Sequence, residues 1–235
     1  MKHAFQKLKQ HKNQENKEAF LEMINEILPK LKQYIKHRIN TYEAKGIFKK
    51  NFYSADGILS DVYLKIYDQF DRIENENRLK TEMFKIADEI LENYAMHEKN
   101  PAEPVPVQQI LKEELQIMNE DFTVNADGEL ILLEELDDIS YKQDEFKPKI
   151  FLFDKNAEFR LANALGLSPE DFTDEKFRSL FGGFYAQIPE TIRRIIDLYV
   201  FGELAPQEIS LVTGLGDEDI ELTLKTVREK LQRLK

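Results

Sequence analysis

The residues that could do chemistry in this chain of 235 residues are its carboxylates, 44 Asp and Glu, against 33 Lys and Arg and four histidines. The histidines, His3, His11, His37 and His97, are scattered, and three of them lie in a basic head, as ordinary surface residues would. There is no Cys, no Gly-x-Ser-x-Gly and no phosphate-loop pattern, so nucleophilic and nucleotide chemistry lack candidates and no enzyme is expected. A carboxylate metal site could be drawn from Glu134, Glu135, Asp137 and Asp138. Hard cations want converging oxygens at defined positions, and no loop here has the Gly-punctuated spacing of a calcium site. No metal and no cofactor are expected. The remaining cluster with chemical meaning is Asp217, Glu218, Asp219 and Glu221, followed one turn later by Lys225 and Arg228. Its chemistry is electrostatic: it bears on whether the chain attracts or repels a polyanion.

The elements that position that cluster follow from hydrophobic spacing. Ile192, Ile195, Ile196, Tyr199 and Val200 lie on one face of a helix running from Pro189 to Val200. Gly202 ends it, Pro206 opens a short second helix with Ile209 and Val212, and Gly214-Leu215-Gly216 permits a sharp turn. A third helix carries Ile220, Leu224, Val227, Leu231 and Leu234, completing a helix-turn-helix pattern.

Upstream, residues 18–40 read as an amphipathic helix interrupted by Pro29, either as a kink or as the opening of a second helix, with Lys30, Lys32, Lys36 and Arg38 largely off its apolar side. Thr41 to Ser54 reads as a loop, and Asp56 to Phe70 as a strong helix through Ile58, Val62, Ile66 and Phe70. Met83, Ile86, Ala87, Ile90, Leu91 and Tyr94 make another, so the first hundred residues form a helical bundle. Pro101, Pro104 and Pro106 mark a boundary. Beyond it, Ile110 to Met118 reads as a short helix, Asp121 to Leu133 suggests a hairpin around Asn125-Ala126-Asp127-Gly128, and Lys149 to Phe153 suits a strand. Ala157 to Phe184 returns to helix, with Gly182-Gly183 preceding the terminal segment. The expected fold is mainly α: a bundle over 1–100, an acidic linker or insert over 101–180 with a short β-hairpin, and a helix-turn-helix domain over 181–235.

Charge divides the chain in the same way, at +7 over residues 1–50, −5 over 51–100 and −9 over 101–150, then −2 in each remaining part, for a net −11. Such asymmetry suggests separate units with separate partners, or solvated helix faces. No apolar run approaches a membrane span and the Lys-rich N-terminus lacks an apolar signal core, so the expected setting is cytoplasmic, without a membrane partner.

Two stretches resemble a known family. Ile188-Pro189-Glu190, Arg193 to Leu198, Gln207 to Ser210, Thr213-Gly214-Leu215 and Val227 to Leu231 look like the C-terminal domain of bacterial sigma factors, the extracytoplasmic-function group above all. Asp56 to Tyr67 looks like the helix with which that family docks on the polymerase clamp, and Met83 to Ala87 like the start of the helix that melts the minus-ten element. The two regions stand in the family's order. The resemblance implies core RNA polymerase as partner, with Ile58, Leu59, Asp61, Val62 and Lys65 as its contacts. It implies promoter DNA at Glu82, Lys85 and Glu89 (minus-ten) and at Glu218, Glu221, Leu222, Lys225 and Arg228 (minus-thirty-five).

The departures from the family are specific. Gly57 and Ser60 stand where relatives carry Asp and Gln; Glu82 replaces an aromatic, Glu89 an Asn, and Met96-His97 a basic pair. An aromatic that stacks on an unpaired base is worth about 1–3 kcal/mol, which Glu cannot supply. Asp219 to Thr223 replaces a Thr-Val-Lys-Ser-Arg pattern in the two turns that would enter the major groove. Acids there suit the helix dipole by about 0.3–1 kcal/mol each but oppose the counterion release behind non-specific DNA affinity. The expectation is therefore an alternative sigma factor that binds core polymerase and directs initiation at specific promoters, alone or assisted by a targeting protein, with weak DNA affinity of its own. The competing expectation is a sigma-like interaction module that occupies an anti-sigma factor by mimicry.

Overall fold

The computed structural model describes residues 24–25, 27–73, 75–98, 107–119, 122–124, 130–132 and 155–233. The described residues are mainly helical. In chain order they form α1 (Leu28–Ala44), α2 (Ala55–Gln69), a 3-10 turn (Phe70–Arg72), α3 (Glu76–Glu98) and α4 (Val107–Asn119). Strands β1 (Phe122–Val124) and β2 (Leu130–Leu132) follow, then α5 (Lys155–Leu165), a second 3-10 turn (Pro169–Thr173), α6 (Glu175–Gln187), α7 (Glu190–Val200), α8 (Pro206–Thr213) and α9 (Asp217–Arg233). The strands pair antiparallel, with Thr123 opposite Ile131 and Val124 opposite Leu130. The expected turn, the 149–153 strand and the acids at 134–138 lie outside the described residues.

Two compact units result, neither a single stretch of chain: 1–103 with 197–214, and 104–196 with 215–235. The helix-turn-helix expected over 181–235 is thus shared out, α8 belonging to the first unit and α9 to the second.

In the first unit, α1, α2 and α3 pack on one another and α8 packs on α3. The stripes responsible are the expected ones: Leu31, Ile35, Ile58, Val62, Ile66, Met83, Ile86 and Ile90 are all buried. Each such side chain contributes about 1.5–3 kcal/mol by leaving water. Pro29 stands in the first turn of α1, where a missing N–H costs nothing, so it opens the helix rather than kinking it. That helix continues through Ala44, past the loop expected from Thr41, because Thr41 and Tyr42 are themselves core residues. Ser54 caps α2 by accepting the Gly57 N–H at 3.1 Å. Glu208 accepts the Ala205 N–H at the start of α8 (2.8 Å) and also holds Lys80 of α3 at 2.9 Å, fixing the short helix to its neighbour. Gly202 is required where it stands: an added Cβ would lie 2.6 Å from the Leu198 carbonyl oxygen and 2.9 Å from the Phe84 ring.

In the second unit, α9 packs on α4 and α5, and β2 touches α6. Ile220, Leu224, Val227 and Leu231 form its inner stripe. α6 runs straight through Gly182-Gly183, which therefore mark no boundary, and Gly182 is buried. Arg178 of α6 reaches Glu158 of α5 at 2.7 Å, and Phe172 stands edge-on to Phe177 and Phe181 at 5.3 and 5.0 Å.

Candidate functional site

The burial of Ile58, Val62 and Ile66 turns the other side of α2 outward. It presents Leu64 (53 % exposed) and Lys65 to solvent, with Asp61 half-buried at their edge. Ile90, Asn93 and Tyr94 of α3 complete a shallow, mostly apolar cleft of about 310 Å³. The Tyr94 hydroxyl donates to Asp61 Oδ2 at 3.3 Å, so the carboxylate is held at the rim. Tyr94 stacks on Tyr53 at 4.9 Å, and Tyr53 in turn donates to Glu98 at 3.2 Å. Partial burial, and then the neighbouring carboxylate, raises the pKa of both phenols, so both are neutral donors near pH 7. An apolar floor with an oriented acid and a free-standing lysine at its rim suits an apolar side chain flanked by charge.

Of the five residues expected to contact polymerase, Ile58 (2 % exposed) and Val62 (1 %) belong to the core and present nothing to a partner. Leu59 is half-buried, while Asp61 and Lys65 line the cleft. The face is therefore completed by Leu64, which helical spacing did not single out, and by Tyr94, which spacing placed on the apolar stripe of α3 without linking it to α2.

The minus-ten residues share α3, with Glu82 and Lys85 half-buried and Glu89 exposed. On α9, Glu218, Glu221, Leu222 and Lys225 are exposed, so the acids of the first turns do face outward. Lys225 lies 3.9 Å from Glu229. Arg228 points inward instead, donating from Nη2 to the Ala164 carbonyl at 3.2 Å, near the C-terminus of α5. A cation there satisfies a carbonyl that has no partner within its own helix. The residues on α3 and those on α9 belong to different units.

Sequence reasoning missed a charged network inside the first unit. Arg38 is fully buried and its Nη2 donates to Glu92 at 2.8 Å; it also reaches Tyr42 Oη and, through Nη1, Asp197 Oδ2 at 3.6 Å. His37 Nε2 lies 3.2 Å from Asp197 Oδ1, its ring stacked on Phe201 at 3.8 Å. Tyr34 donates to the buried Asp88 at 2.6 Å. The signal was available: Arg38 follows Leu31 and Ile35 at helical spacing, on the apolar stripe and not off it. Charge of this kind is costly to break, because removing one partner leaves the other buried alone.

Among the described residues no group of three or more His, Asp or Glu is placed to hold a metal ion, and no helix is long and apolar enough to cross a membrane. Comparison with protein-family models, with curated proteins and with solved structures finds no match to this chain.

Proposed function

We propose that this chain is a sigma-like initiation factor that binds core RNA polymerase through the outward side of α2, with weak affinity of its own for promoter DNA. On this reading the sigma-core region is 1–100 and the promoter-facing region 181–235, joined by the acidic 101–180. A partner protein supplies the promoter address. The observation that carries the reading is the α2 face, where Asp61, Leu64 and Lys65 border an apolar cleft floored by Ile90. A few anchors of this sort dominate the energy of a protein interface. Weak DNA affinity is supported by the outward acids of α9 and by the internal engagement of Arg228.

Gel filtration of the purified chain with bacterial core polymerase tests this. Co-elution that is lost in Leu64→Asp and Lys65→Glu is the expected result. Absence of any association with the intact chain overturns it.

A second reading keeps the same α2 face but gives it to an anti-sigma factor, the chain acting as a mimic with little DNA binding. Two acids on the exposed α9 face, Glu218 and Glu221, favour it. Capture of an anti-sigma factor, with core polymerase left unbound, would select it.

A further inference from the structure

The loop between α1 and α2 is firmly built yet ends in an exposed aromatic. Phe48 is buried against Tyr42 and Tyr53, at 4.8 and 4.4 Å between ring centroids. The Ile47 and Phe48 N–H groups both bond to the Tyr42 carbonyl. Asn51 adopts a left-handed conformation (φ 58°), and its N–H is held by Glu43 Oε1 at 2.7 Å. Asn tolerates that region better than most residues, so the turn is held without glycine. The consequence is Phe52, 65 % exposed and edge-to-face with Tyr53 at 4.9 Å. Tyr53 stacks in turn on Tyr94, which makes a rigid aromatic ladder with its outermost ring in water.

Two lysines stand beside that ring, the Phe52 N–H donating to the Lys49 carbonyl at 3.1 Å. Lys49 and Lys50 are exposed and, among the described residues, in no ion pair. Of the acids in contact with this segment, Asp56 is paired with Lys32 at 2.5 Å, whereas Glu43 and Glu98 accept from the uncharged Asn51 N–H and Tyr53 hydroxyl and keep their charge. A flat apolar face flanked by free lysines on a fixed loop is what an unpaired base and its neighbouring phosphates need.

We propose that the Phe52 loop binds single-stranded nucleic acid. One base stacks on the exposed face of Phe52, and Lys49 and Lys50 hold the flanking phosphates. This site differs from the α3 positions Glu82, Lys85 and Glu89: Tyr94, the inner end of the ladder, lies about 18, 14 and 8 Å beyond them along the helix. It does not depend on polymerase binding. Stacking reads every base, so binding is independent of sequence, and duplex DNA, whose bases are already stacked, binds poorly.

Fluorescence anisotropy of the full chain with labelled dT and U homo-oligomers, and with a duplex of equal length, tests the proposal. The expected result is binding of single strands that weakens as salt rises, with the duplex markedly weaker. Phe52→Ala, an exposed change, should weaken single-strand binding about tenfold. Lys49→Glu with Lys50→Glu should lower the salt slope by about 1.4. Failure of both homo-oligomers to bind overturns the proposal. So does undiminished binding by Phe52→Ala, equal affinity for duplex, or equal competition by poly-glutamate, which would point to an acidic protein segment instead.

Discussion

Arg38 on α1 and Asp197 on α7 stand 3.6 Å apart, Nη1 to Oδ2, and neither side chain is exposed at all. The pair joins the start of the chain to a segment nearly 160 residues later within one compact unit. Burying two charges costs several kcal/mol per ion, which a partner and further hydrogen bonds must offset. Glu92 and Tyr42 supply those to Arg38, and His37 lies against Asp197.

Removal of one member therefore exposes the cost of the other. Asp197→Ala should destabilise the first unit by about 3 kcal/mol, and Asp197→Asn by less, because Asn keeps an acceptor of the same shape. Urea unfolding of the two variants measures this. A loss of well under 1 kcal/mol for Asp197→Ala would show that Glu92 alone suffices for Arg38.

Glu114 of α4 plays the corresponding part in the second unit. It accepts the N–H groups of Thr191 at 3.1 Å and Ile192 at 3.0 Å, capping the first turn of α7. Burial raises its carboxyl above the usual glutamate range, and the two N–H bonds offset this only in part. With the folded pKa above the unfolded one, the native state favours the neutral acid. That contribution is full below the ordinary glutamate pKa of about 4.3 and is lost as pH rises through the raised value. Glu114→Gln cannot ionise, so wild type should lose ground to it between about pH 4 and neutrality. Thermal unfolding of both proteins across that range checks the sign, and a pH-independent difference would contradict it.

Arg228 should behave as a structural residue. Arg228→Ala removes the hydrogen bond to Ala164 and should cost about 1 kcal/mol of stability, since the group is only partly buried. Duplex DNA affinity, measured by anisotropy at low salt, should change little. A clear loss of affinity without a loss of stability would return Arg228 to the phosphate contacts implied by the family resemblance.

The helices were legible because their stripes are strong. α2 was expected over Asp56–Phe70 and spans Ala55–Gln69, and α7 was expected from Pro189 and starts at Glu190. Periodicity names the buried face but not what covers it. Ile209 and Val212 announce a helix, yet nothing in their spacing says that α8 packs on α3, far back in the chain. Residue type misled in the other direction: His37 and Arg38 read as surface residues, although both are buried. The cleft was half legible. Asp61 and Lys65 came from the resemblance, whereas Tyr53 and Tyr94 meet across more than forty residues and no local pattern pairs them.

The outward acids of α9 give the sharpest test of how the chain meets DNA. Glu218 and Glu221 are both exposed, beside Leu222 at 52 % exposure and Lys225. If this face approaches duplex DNA, each acid removes affinity by repelling phosphate, and reversing it should restore a contact. Glu218→Lys with Glu221→Lys would then tighten duplex binding and steepen the dependence of log affinity on log salt by about 1.8. Glu218, in the first turn of α9, also complements the helix dipole, so the double variant should lose about 0.3–1 kcal/mol of stability in the same preparation. The two effects have opposite signs and separate readouts, which makes the result unambiguous. Tighter, salt-sensitive duplex binding would mean that α9 is a promoter-facing helix held in check by its own charge. A loss of stability with no gain in affinity would mean that α9 does not meet duplex DNA, and that its acidic face serves protein contacts.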